Sequence, residues 1–254
     1  MPDFIDALRR QVSIPELPGR IISLVPSVTE TVIDLGCANC LQGRTHYCIH
    51  PNEKVKEIPT IGGTLNIDFR KVKALNPDLI LAVKEENDKE QVYRLARDYP
   101  VYVFDIHTVD DGLNMVERIA ELLGKPQRGL DWKRSISAKL GHIKPVRAKV
   151  LYLVWNNPLM AAGRGTFIDS VLQVYGYRNV IADKGYPRPD KPSSLSPDFV
   201  MAPSEPYRFS DEELEELKVQ FPDSAVVRVD GEIFSWYGTH MRLIPTYYRQ
   251  LPQK

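Results

Sequence analysis

Three cysteines, Cys37, Cys40 and Cys48, fall close together, with His46 and His50 in the same stretch. Thiolate and imidazole are zinc's preferred ligands, so a C-x-x-C with a third Cys and two His could furnish a tetrahedral zinc site. A packing role fits them better. Cys37 follows Gly36, which should end a helix, and Cys40 opens a short apolar segment, so both can serve as small buried residues. His46, His50 and His240 could each offer a neutral imidazole to a metal. A lone loop histidine is as a rule solvated or hydrogen-bonded, and His50 precedes Pro51, which biases it toward an extended conformation. Arg164 in AAGRGT lies just before a helix start, where it either meets an anionic group or is solvated. No compact His-Glu or Ser-His-Asp arrangement is visible, although sequence alone cannot bring distant groups together.

The elements that must position these residues come in two similar series. RIISLVPSVTETVIDLG at 20–36 and NPDLILA at 76–82 return as KVLYLV…GTFIDSVLQVYG at 149–176 and SPDFVMA at 196–202. Each copy runs from a β-rich apolar stretch through a turn into an amphipathic helix, then reaches a Pro-Asp that opens another apolar strand. Two α/β lobes side by side leave a cleft, where small ligands usually bind.

The first lobe is expected over 1–124. RIISLV reads as a buried strand, and Ser27 with Glu30 as a capping box for a helix ending at Gly36, with Pro26 just before the cap. A loop to about residue 64 follows. IDFRKVKAL is helical by its spacing of Ile67, Val72 and Leu75, and LILAV at 79–83 is a strand. NDKEQVYRLAR is a charged helix, VYVF at 101–104 a strand, and VDDGLNMVERIAELLG a helix with Asp at its start and Gly124 at its stop. This alternation predicts a parallel sheet.

Residues 125–145 carry Leu130, Ile136 and Leu140 at near-helical spacing, unlike a Gly/Ser linker. One helix joining the lobes is expected there, spanning roughly 25 Å for about 16 residues and keeping closure on a ligand small. The second lobe, 146–254, contains RAKVLYLVW, RNVIA, PDFVMA and AVVRVD as strands and TFIDSVLQVYG as a helix near Thr166. SDEELEELKVQF is a helix capped by Ser210 with Glu213 three residues on. GTHMRLIPTYYRQLP should pack as a terminal helix interrupted near Pro245.

Composition bounds the function. The 33 basic and 33 acidic side chains balance, so the basic excess of a nucleic-acid binder is missing. No apolar run approaches the roughly 20 residues that span a bilayer, and insertion into a membrane is not expected. The N-terminus, with acids and prolines, shows no secretory signal. Cytoplasmic is the literal implication, although a chain beginning after a removed signal would look the same.

RIISLVPSVTETVIDLG, HYCIHP, TIGGTLNIDFRKVKALNPDLILA, NPLMAAGRGTFIDSVL and RNVIA, in this order, resemble the substrate-binding receptors of cobalamin and ferric-siderophore ABC importers, the helical-backbone metal receptors. The opening DALRRQVSIPELPGR is similar to that group's N-terminal hairpin, whose usual form is D-x-x-G-R-x-V. VDGEIFSWYG resembles a cobalamin-receptor-like subgroup. The resemblance implies a class III periplasmic-binding-protein-like α/β fold: two similar three-layer lobes joined by one long backbone helix. It also implies a cleft for a corrinoid such as cobalamin, or for haem or a ferric siderophore, with no covalent cofactor and binding without turnover. By compartment it implies a periplasmic or extracytoplasmic protein, and a monomer is expected.

At the positions where the family's loops line the cleft stand Tyr47, Thr64 after Gly62-Gly63, Trp155, Phe234, Trp236 and Tyr237, since a large planar ligand needs aromatic faces and polar anchors. Each has a packing alternative, strongest for Phe234 and even for Trp155. Gly62-Gly63 serves a tight turn with positive φ and lets backbone approach a ligand. A corrinoid cobalt is one metal that the imidazole of His46, His50 or His240 could coordinate, against the solvated or hydrogen-bonded role usual for a lone loop histidine. Such receptors dock to an importer permease through an exposed acid on each lobe, here Glu90 and Glu212 or Glu213, although acids on exposed helix faces are ordinary and Glu213 has a capping role.

Two departures from the family stand out. The missing export signal leaves open a cytosolic storage, sensing or delivery role. PRPDKPSSLS replaces the helix that usually precedes the second Pro-Asp strand, because prolines at 187, 189, 192 and 197 exclude a regular one. The alternatives to a receptor are an enzyme of tetrapyrrole or metal-chelate metabolism and a protein-interaction module.

Overall fold

The computed structural model describes residues 1–141 and 144–252. The chain divides into two compact units. The first comprises Met1–Ile106, Asp110–Ala138 and Tyr237–His240; the second comprises His107–Val109, Lys139–Trp236 and the chain from Met241 onward.

The first unit begins with an antiparallel hairpin, β1 (Asp3–Ile5) and β2 (Gln11–Ser13), in register Phe4 to Val12. Its turn is built by Asp6, whose carboxylate accepts from the Leu8 and Arg10 amides at 2.9 Å and pairs with the Arg10 guanidinium at 2.6 Å. A four-stranded parallel sheet follows. Its order is β4 (Leu41–Arg44), β3 (Ile21–Ser23), β5 (Leu79–Val83) and β6 (Val101–Phe104). Helices α1 (Pro26–Asp34), α2 (Asn52–Val55), α3 (Phe69–Leu75), α4 (Lys89–Leu95) and α5 (Val109–Leu122) connect and flank these strands. Every residue of β5 is buried, as expected of a continuous apolar run at the centre of a parallel sheet.

Two sequence expectations change here. Strand β4 lies inside the stretch expected to be loop. Its inward positions are Leu41 and Gly43, and a Cβ on Gly43 would sit 2.9 Å from Leu75, so the strand carries almost no apolar signal. The capping box at Ser27 and Glu30 does not form. Val25 is the N-cap and Pro26 occupies the first turn, where its missing N–H costs nothing. Both side chains that looked like a cap serve other partners.

Helix α6 (Pro126–Leu140) covers most of the expected connector. Gly129 lets it approach α5 closely, since a Cβ there would stand 2.4 Å from that of Ala120. Lys133 pairs with Glu117 at 2.6 Å. Arg128 and Trp132 both donate to the Asp34 carbonyl at the end of α1, at 2.8 and 3.3 Å.

The second unit is built on β7 (Ala148–Trp155), which pairs in parallel with β10 (Phe199–Pro203) on one side and with β9 (Tyr177–Asn179) on the other. The short antiparallel β8 (Met160–Ala161) extends the β9 side, and β11 (Ala225–Val229) lies beyond β10. Leu151, Leu153, Val200, Ala202, Phe209, Leu217 and Phe221 form one apolar cluster under this sheet. Helices α7 (Phe167–Val174) and α8 (Asp211–Gln220) start at Thr166 and at a full Ser210–Glu213 capping box, as their sequences predict. After α9 (Gly231–Ser235) the tail is a 3₁₀ segment, a one-turn α10 (Ile244–Tyr247) and another 3₁₀ turn. Pro245 thus stands in the first turn of α10 rather than interrupting a long helix.

The repeated Pro-Asp signature does the same job in both units. Asn76 and Ser196 each adopt positive φ, 43° and 45°, turning the chain into the strand. Asp78 then accepts from the Gly19 and Arg20 amides, and Asp198 from the Lys149 amide at 2.7 Å. Each aspartate therefore caps the start of the neighbouring strand and sets its register. Between Tyr186 and Pro197 only a 3₁₀ turn, Pro192–Leu195, appears.

Candidate functional site

In open parallel sheets, ligands gather at the carboxyl ends of the strands, where the loops converge. The first unit has its chemically distinctive residues there. After β4, His46 donates its amide to the Gly62 carbonyl at 2.9 Å, which brings the HYC loop onto the GGT loop. The His46 and Tyr47 rings lie 4.1 Å apart, and Tyr47 is 54% exposed. Gly62 needs its positive φ of 106°. Gly63 provides space, since a Cβ there would press on the His46 ring at 3.0 Å. Thr64 is half-buried, and its carbonyl accepts from buried Asn87 at 3.1 Å. Asn87 also accepts from the Val83 amide at 2.9 Å, so one side chain ties the end of β5 to the threonine loop. His46 and Tyr47 thus stand exposed over the buried Gly63, with half-buried Thr64 next to it in the chain.

A second group in the first unit surrounds the start of α1. Glu30 is buried and meets His240 Nδ1 at 2.7 Å. The His50 ring lies 6.2 Å from that of His240. Tyr237 donates its amide to Ser27 Oγ at 3.3 Å and its hydroxyl to Glu86. Gly238, at φ 72°, passes so close to α1 that a Cβ would stand 2.3 Å from Thr31 Oγ1. The Tyr237–His240 segment is therefore laid along α1 as a strap, and Tyr237 and His240 are both buried within it.

In the second unit Trp155 ends β7 and is 44% exposed, with its ring 4.9 Å from that of Tyr207. Tyr207 donates to Glu213 at 2.5 Å, and Asn156 donates to the same oxygen at 2.7 Å. These bonds, the Tyr207 hydroxyl first, hold Glu213 below the usual carboxylate range. The result is an aromatic platform with fixed orientation. Glu213 is committed to it and to the Ser210 amide, which leaves Asp211, paired with Arg228 at 2.5 Å, and Glu212 as the exposed acids of that first turn.

The remaining aromatics separate. Trp236 is buried and donates from Nε1 to Glu205 at 2.7 Å; Ser235 donates to the same oxygen at 2.9 Å. Burial raises the Glu205 carboxyl despite these donors. Phe234 is 0% exposed and packs against Tyr152 and Tyr175 with centroids at 5.0 and 5.5 Å. Its ring belongs to the core, because α9 turns that side of FSWYG onto β7 and α7. Arg164 is exposed in the loop before α7, and Glu90 is exposed in the first turn of α4.

The cysteines do not assemble with the histidines. Cys48 is buried with its sulfur 3.0 Å from Thr29 Oγ1 and 3.2 Å from Thr45 Oγ1. Among the described residues, no group of three ligand atoms within 4.8 Å includes a cysteine.

Tyr207, Asn87, Glu86 and Glu205 escaped the sequence reading, and Glu30 was read there only as a capping residue. Tyr207 sits in a loop just past a strand, the placement that singled out Tyr47. Glu30 had a signal too, as an acid in the middle of α1 with only apolar and hydroxyl-bearing residues on either side until Asp34 at its end.

The family model described as periplasmic binding protein matches residues 21–215. The chain belongs to that family. Curated relatives of the chain include the vitamin B12-binding protein of Pectobacterium atrosepticum. It is 25% identical over 186 residues, covering 68% of this chain and 66% of the relative. An uncharacterized ABC transporter substrate-binding lipoprotein, YvrC of Bacillus subtilis, is 27% identical over 192 residues, covering 70% and 60%. The chain therefore matches less than two thirds of these relatives' own length. Among solved structures, the periplasmic heme-binding protein RhuT from Roseiflexus sp. RS-1 superposes with TM-score 0.75 at 20% identity, covering 91% of this chain and 96% of that one. The periplasmic vitamin B12 binding protein BtuF of Vibrio cholerae gives 0.73 at 17%, covering 92% and 97%. The structural likeness carries the fold: α/β units of the periplasmic-binding-protein type.

Proposed function

We propose that this protein is a non-catalytic receptor that holds a corrinoid, or another metal chelate such as haem or a ferric siderophore, for ABC-type uptake or intracellular handling. The observation that carries the proposal is the pair of exposed aromatic platforms at the carboxyl ends of strands, His46–Tyr47 in one unit and Trp155–Tyr207 in the other. Exposed rings held by neighbours rather than buried among them offer faces to a large planar ligand at little further ordering cost. The names of the curated relatives support a corrinoid within this class. Within the first unit Tyr47 and Thr64 are the contacts we assign to the ligand, and within the second Trp155, while Trp236 and Tyr237 hold loops through Glu205 and Glu86. Glu90 and Glu212, both exposed in first helical turns, are the acids available to an importer permease.

Absorbance titration with cobalamin, haem and a ferric chelate tests the proposal. A saturable one-to-one spectral change is expected with at least one of them. Tyr47→Ala and Trp155→Ala should each weaken it about tenfold, ~1.4 kcal/mol, with unchanged thermal unfolding of the free protein. Silence toward the whole panel, or repeated turnover of a bound chelate, overturns it.

A further inference from the structure

The C-x-x-C pair takes no part in either aromatic platform. It sits on a single 3₁₀ turn, Ala38–Cys40, directly after α1. The Cys40 amide donates to the Cys37 carbonyl at 3.0 Å, a bond between residues three apart that keeps their Cα atoms within about 7 Å. Disulfides span Cα separations of about 4.4–6.8 Å, so this turn can carry one with little backbone movement. Cys37 is buried and Cys40 half-exposed, whereas Cys48 is buried and hydrogen-bonded elsewhere.

We infer that Cys37 and Cys40 form an exchange-active dithiol that reacts with low-molecular-weight disulfides and closes into an intramolecular disulfide. Cys40, as thiolate, attacks one sulfur of the small disulfide, forming a mixed disulfide and releasing one small thiolate. Cys37 then loses its proton to solvent and attacks the Cys40 sulfur. The intramolecular S–S bond forms, the mixed one breaks, and the second small thiolate leaves. Two protein thiols are oxidised and one small disulfide is reduced to two thiols, so electrons balance.

The charged surroundings bear on the second step. Burial and the neighbouring Cys40 push the Cys37 thiol up, while the cations of Lys125 and Arg128 oppose them. Ring closure should therefore quicken as pH rises, because the thiolate is the nucleophile. Position gives closure a consequence. The turn follows Gly36, against which the Arg128 guanidinium is packed, and Arg128 with Trp132 holds α6 to the Asp34 carbonyl. Oxidation locks the turn that borders the α1–α6 joint.

The test incubates the full chain, natively folded, with excess oxidised glutathione, quenches with acid, and reads intact mass and mapped peptides after alkylation. Wild type should lose the mass of two hydrogens, yield a linked Cys37–Cys40 peptide and keep Cys48 as a free thiol. Cys37→Ser should stop at a lasting glutathione adduct on Cys40, and Cys40→Ser should stay unmodified while folded. Wild type that keeps three thiols, or that accumulates a lasting adduct on Cys40, overturns the inference without reference to either variant's folding. None of these outcomes depends on which ligand the protein binds.

Discussion

Single residues here are tuned by what surrounds them more than by their type. Glu85 follows β5, accepts from the Ile106 amide at 3.3 Å and neighbours Asp105, which pairs with Lys84 at 2.6 Å. Although Glu85 as a residue is exposed, partial desolvation of its carboxyl first, and then the adjacent Asp105, raise it from 4.5 to about 7. An acid whose folded pKa exceeds its unfolded value binds its proton more tightly in the native state. Between about pH 4.5 and 7 the native state thus holds more protons than the unfolded one, and stability falls as pH rises through that window. Glu85→Gln keeps a neutral side chain of the same shape and should flatten the fall. Urea midpoints at about pH 5 and about pH 7.5 check this against ordinary titration of the rest of the chain. An identical drop in wild type and variant would remove Glu85 as its cause.

At the scale of elements, the N-terminal hairpin shows how a family pattern and a local departure combine. The usual D-x-x-G-R-x-V has glycine before its arginine, and this chain has Arg9 there. The backbone has not moved to suit it: Arg9 sits at φ 59°, and its amide still closes the turn onto the Asp6 carbonyl at 3.0 Å. A side chain in the left-handed region costs about 1–2 kcal/mol, which glycine avoids. Because Arg9 is exposed, little packing is lost on its removal. Arg9→Gly should stabilise the protein by roughly 1 kcal/mol after the loss of unfolded-chain restriction, read as a higher urea midpoint with unchanged slope. A lower midpoint would mean that the Arg9 side chain holds the hairpin by some contact of its own. The strap at Tyr237–His240 makes the complementary point, since there the glycine is kept where α1 leaves no room for a Cβ.

For the whole molecule, equal numbers of acids and bases leave ligand binding to local contacts rather than to an overall field. Among the described residues no helix is long and apolar enough to cross a membrane. A ligand that binds only the folded state should raise apparent stability by about 2.7 kcal/mol at a hundred times its Kd. For a chain of this size that is a rise in Tm of roughly 5–10 °C. Differential scanning fluorimetry across corrinoids, haem and ferric chelates should single out the ligand class by that rise. Equal shifts for all members of the panel would show non-specific adsorption instead.

The sequence by itself determined the alternation of strands and helices, the doubled Pro-Asp signature and the caps at Thr166 and Ser210. These rest on periodicity and on bonds between residues a few positions apart. It also marked Tyr47 and Trp155, because large rings at strand ends stand out against polar loops. Only the tertiary structure decided which candidates share a surface. Tyr207 joined Trp155 across a loop, Phe234 went to the core, and Glu30 met His240 from the other end of the chain. Strand β4 was likewise invisible, its inward face made of a leucine and of Gly43, which fits where Ile22, Ile61 and Leu75 leave no room for a Cβ. The physical reason is common to all four. A local pattern fixes the direction a side chain takes from its own backbone, but its partner is set by chain folded back from far away, and no spacing along the sequence encodes that distance.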